Sequence, residues 1–71
     1  MKLIKSKGSL YINPAHIVFV EQRGVSSIVT MTTGARLEAN LSAAKMTGLI
    51  ELALSGELPD GIAVDFINAP D

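Results

Sequence analysis

Apolar and polar positions alternate in short blocks along this chain, and only one stretch keeps a helical period. Leu3-Ile4 and Leu10-Tyr11-Ile12 flank Lys5-Ser6-Lys7-Gly8-Ser9, which has the composition of a hairpin loop, so two short antiparallel strands are expected there. Asn13-Pro14-Ala15-His16 then interrupts the pattern. Proline fixes its own φ and lacks a backbone donor, it pushes Asn13 toward extended geometry, and a turn asparagine bonds its own backbone two residues on. The segment reads as a corner.

From His16 to Arg23 the chain is rich in β-branched residues and reads as a strand, Gly24 marks a bend, and a second strand is expected from Val25 or Ser26 to Thr32. Thr33-Gly34 marks the next turn and Ala35 to Ala39 the third strand of a meander. Regular alternation sends Ile17 and Phe19 to one face and Val18 and Val20 to the other, with Val29 and Met31 opposed to Ile28 on the next strand. A solvated face of an antiparallel sheet shows as clean alternation, so apolar residues on both faces call for cover on both. A single helix covers one of them. The C-terminal tail or another copy of the chain is expected to cover the other.

The helix is expected over residues 42–55. Ser42 is a good N-cap, Leu41 and Met46 have the spacing of a hydrophobic staple, and Gly56 supplies a left-handed stop. Met46, Leu49, Ile50, Ala53 and Leu54 form one stripe at i, i+3, i+4, i+7 spacing, and Leu52 falls outside it. After Pro59-Asp60-Gly61, a turn sequence, Ile62, Val64 and Phe66 alternate with Ala63, Asp65 and Ile67. The tail 57–71 is thus a candidate sixth strand, in its own chain or a neighbour's, or a partly disordered end. The expected fold is α+β: a small twisted antiparallel sheet of about five strands with one helix packed on one face, in a single domain of residues 1–71.

Length sharpens the need for cover. A chain of 71 residues leaves a thin core, since domains of this size bury only about 60% of their unfolded surface. Small folds recover stability through disulfides, a metal or association, and this chain has no cysteine and one histidine. Apolar residues make up 48% of it and charged ones 18%, which excludes wholesale disorder. No apolar run is long enough to span a bilayer, and the apolar start is too short for a signal peptide, so a cytoplasmic protein without membrane contact is expected.

Charge is divided between the halves. Residues 1–36 hold Lys2, Lys5, Lys7, Arg23 and Arg36 against Glu21, net +4, and residues 37–71 hold Lys45 against six carboxylates, net −5. Such a split suits intramolecular or head-to-tail pairing at least as well as a polyanion.

No residue set carries catalysis. His16 and the nearest carboxylate in sequence, Glu21, would lie on opposite faces and about 16 Å apart along a strand, so they form no dyad. Clustered metal ligands and phosphate-cradling glycine loops are both missing from the pattern, and no cofactor is expected. Lys2, Lys5, Lys7, Tyr11, Arg23 and Arg36 would gather on one sheet edge in a nucleic-acid-binding regulator, but only three aromatics are present, and Phe19 and Phe66 are more economically core. The favoured expectation is a non-enzymatic module that forms a homodimer or other homo-oligomer and docks an unidentified protein partner. Val18, Val20, Leu52, Ile62, Val64 and Phe66 are its candidate contact residues.

The order "YINPAHIVFVE", "SIVTMTTGARLEA" and a capped helix resembles the small FlbD-like family of bacterial, flagellum-associated proteins. Asn13, Ile17, Val20, Glu21, Thr30, Met31, Gly34 and Leu37 carry the likeness, over about residues 2–54. "ANLS" stands where that family has a charged Lys-Glu-Ser type sequence, and the tail after Gly56 has no counterpart. The resemblance implies an accessory or regulatory protein with no catalytic residue to transfer.

Overall fold

Seven short strands and one helix form an α+β fold in the computed structural model, which describes residues 1–7 and 10–69. The strands are β1 (Ile4–Ser6), β2 (Tyr11–Ile12), β3 (Ile17–Arg23), β4 (Ser26–Met31), β5 (Arg36–Ala39), β6 (Ala63–Val64) and β7 (Phe66–Asn68), with α1 (Ala43–Ser55) between β5 and β6. Instead of one sheet there are two. One has the order β2-β1-β6, antiparallel between β1 and β2 but parallel between β1 and β6; the other is antiparallel throughout, in the order β3-β4-β5-β7. The tip of the expected first hairpin, Gly8-Ser9, and the last two residues of the tail lie outside the described residues.

The tail decides this arrangement. It runs as one extended segment that changes sheets at Asp65, whose N–H donates to Asn40 Oδ1 (3.4 Å) and whose carbonyl accepts from the Asn40 N–H (3.3 Å). Directly after it, the Phe66 N–H donates to the buried Ser6 Oγ (3.4 Å), tying the second sheet back to the first. The expected alternation holds across the break: Val64 and Phe66 point inward, Ala63 and Ile67 outward. The tail therefore lies in the sheets as an edge strand of each, in its own chain, and does not lie over a face.

A single core fills the space between the sheets and the helix. Ile4, Ile12 and Val64 enter it from one sheet, Val29, Ala39 and Phe66 from the other, Met46 and Ala53 from α1, and Leu58 from the loop that follows. The helix begins as expected, with Ser42 Oγ accepting from the Lys45 N–H (3.3 Å), and ends at Gly56, whose φ of 78° is the left-handed conformation that glycine adopts without strain. Gln22 on β3 adds a second cap, its Oε1 accepting from the Ala43 N–H at 2.7 Å. That bond fixes the helix start to the β3–β4 hairpin. Leu49 and Ile50 pack against the core, whereas Leu54, placed on the buried stripe by spacing alone, is exposed.

The opposed charges of the two halves are used within the chain. Lys2 Nζ meets Asp60 (3.3 Å) and the Leu58 carbonyl (3.0 Å), and Lys7 meets Asp65 (3.7 Å), so both pairs clasp the N-terminal strand to the tail. Ser27 on β4 is the exception to polar satisfaction: its hydroxyl is fully buried and has no partner among the described residues. Ser27→Ala should stabilise the fold by about 1 kcal/mol, because it removes a desolvated, unpaired hydroxyl at little change in volume. Urea denaturation would measure it, and a destabilised variant would show that the hydroxyl is satisfied in solution.

Candidate interaction surface

Asn13 opens the corner before β3. Its Oδ1 accepts from the Ala15 N–H (3.0 Å), and Pro14–His16 make one 3-10 turn. His16 closes the turn through its own N–H to the Asn13 carbonyl (3.0 Å), and its carbonyl accepts from Thr32 (2.8 Å). Its role is in the backbone, at the mouth of the β3–β4 hairpin, and its side chain is exposed. No group of three or more metal-ligating side chains is assembled among the described residues.

β3 then departs from regular alternation. Ile17 is opposite Met31 and Phe19 opposite Thr30, so β3 holds one residue more than β4 over this interval, a bulge at Val18. The extra residue resets the alternation. Ile17 and Val20, expected on opposite faces, both pack against the core, while Val18 and Phe19 are 50% and 61% exposed. Phe19 is therefore not a core aromatic, and Val20 belongs to the inner face rather than to a contact surface.

Register places Phe19, Thr30 and Arg36 in one row of the outer face and Glu21, Ile28, Glu38 and Ile67 in the next. Ile28 is only 2% exposed although it lies outside the main core cluster. Glu21 and Glu38 flank it, and the Glu21–Arg36 ion pair (3.8 Å) reaches from β3 to β5 across its strand. Long charged side chains in such flanking positions can cover an apolar neighbour with their stems. Val18 and Phe19, with Ile67 at the far strand, remain the apolar surface of this face.

The other expected contact residues separate. Val64 and Phe66 are 2% and 8% exposed and are core residues, because their strand is paired within its own chain. Ile62 is half-buried against the core, and Leu52 stands at the surface of α1, on a different element from Val18. The six residues of the nucleic-acid reading are also divided. Lys2, Lys5 and Tyr11 line a groove of about 170 Å³ beside the loop 58–62, and Arg23 and Arg36 lie on the other sheet. Lys2, Lys7 and Arg36 are each paired with a carboxylate.

Comparison with protein-family models, curated proteins and solved structures gives no significant match. No helix among the described residues is long and apolar enough to cross a membrane.

Proposed function

We propose that this protein is a non-enzymatic interaction and assembly module of the bacterial cytoplasm, which associates with itself and docks a protein partner through the outer side of β3. The observation that carries the reading is the pair Val18 and Phe19, held side by side in solvent by a bulge on an edge strand. An exposed aromatic beside an aliphatic residue is the usual composition of an interface anchor, and bulges next to functional sites re-aim side chains in this way. The likeness of residues 2–54 to FlbD-like proteins supports the same class, an accessory or regulatory protein.

Sedimentation velocity of the native chain between 1 and 100 µM, roughly the range in which interfaces of modest size associate, tests the reading directly. A dimer that dissociates when Phe19 is replaced is the expected result. A monomer at every concentration would remove self-association from it.

A further inference from the structure

Resting on that reading, we infer that the occupant of the β3 edge is the same edge of a second copy, paired antiparallel about Glu21 into a continuous eight-stranded sheet. β3 ends its sheet, with β4 on one side and no strand on the other among the described residues. The Ile17 N–H is used by the corner, donating to the Pro14 carbonyl, but from Val18 to Arg23 no backbone bond outside the β3–β4 ladder is found among the described residues, so the outward N–H and C=O groups there lack a backbone partner. A long strand edge in that condition is a template for another strand. The remaining edges differ: β2 has two residues, and β6 and β7 are consecutive pieces of one segment that joins the two sheets.

Register follows from where β3 is regular. The bulge ends the even ladder at Phe19 and the turn at Gly24 ends it after Arg23, leaving Phe19–Arg23. An axis at Glu21 pairs all five of these residues, whereas an axis at Val20 or Gln22 pairs only three of them. With the axis at Glu21, Phe19 lies beside the partner's Arg23 on the outer face, twice by symmetry, in reach of a cation–π contact. Val20 meets the partner's Gln22 on the inner face. The two Glu21 side chains oppose each other, which costs energy, but each has its own Arg36 at 3.8 Å and the partner's Arg23 on the diagonal. The alternating run Phe19, Glu21, Arg23 is thus complementary to itself when reversed. The bulge also stops the ladder from extending, so the contact closes as a dimer.

The cysteine-free sequence allows a register-specific test. Directly opposed antiparallel residues have Cα atoms about 4.5–5.5 Å apart, within disulfide reach. Glu21→Cys should therefore oxidise to a covalent dimer at least about tenfold faster than Arg23→Cys, whose two copies would stand roughly 14 Å apart. Mixing Phe19→Cys with Arg23→Cys chains should give a covalent heterodimer faster than either alone, a check that leaves Glu21 in place. Equal rates for Glu21→Cys and Arg23→Cys, with no heterodimer preference, overturn the pairing. If the native chain is nevertheless dimeric, only the edge register falls and the self-association proposed above stands. If it is a monomer both fall, and the edge is left to an extended segment of another protein.

Discussion

Val64→Asp is expected to unfold the protein or to leave it folded only at the lowest denaturant concentrations. Val64 is in the core, in register with buried Ser6 on β1, on the segment that links the two sheets. The substitution loses a buried aliphatic side chain, worth about 2 kcal/mol, and places a carboxyl where burial without a partner costs several more. A loss of roughly 4 kcal/mol or more compares with a total stability of roughly 4–10 kcal/mol for a domain of this length. Circular dichroism under urea would show the midpoint collapsing. An unchanged midpoint would mean that the tail is not held between β1 and β5 in solution.

Phe19→Lys should do the reverse. In the isolated chain the side chain is mostly in water, so the folded monomer should change in stability by no more than about 0.5 kcal/mol, as exposed positions do. Association should weaken by roughly thirtyfold or more, the effect of about 2 kcal/mol for losing an aromatic anchor, and lysine on an exposed strand edge discourages pairing in its own right. In the register centred on Glu21 the new ammonium would also face the partner's Arg23. Sedimentation equilibrium would measure the dissociation constant beside a thermal melt of the same sample. A variant that associates as well as the native chain excludes Phe19 from the contact.

The contrast between these two residues shows which parts of the molecule were legible. The helix was readable almost to the residue, since its caps are local: Ser42 and Gly56 are set by contacts within a few positions. The corner at Asn13-Pro14 and the β3–β4–β5 meander were equally local, and strand ends differ from expectation by a residue or so. The candidate surface was only half legible. Alternation places Val18 there and it is exposed, but the usual burial of large aromatics points Phe19 to the core, and it is exposed as well. Nothing in the run Ile17-Val18-Phe19-Val20 marks a bulge, which is decided by what the opposing strand can pair with. Gln22 is equally silent in sequence: a polar residue on a strand carries no sign that its amide caps a helix starting 21 positions later.

By itself the sequence determined that this is a small α+β chain with a capped helix, a three-strand meander, a tail of alternating strand pattern, and a basic half facing an acidic one. These properties depend on period, capping and charge, which act over a few residues or as a sum. Tertiary structure alone decided that the tail divides between two sheets, that its apolar residues close the core, and that a bulge turns Phe19 outward. Each is a choice of partner strand and register, made by hydrogen bonds and packing between segments distant along the chain, such as Ser6 with Phe66 and Met31 with Ile17.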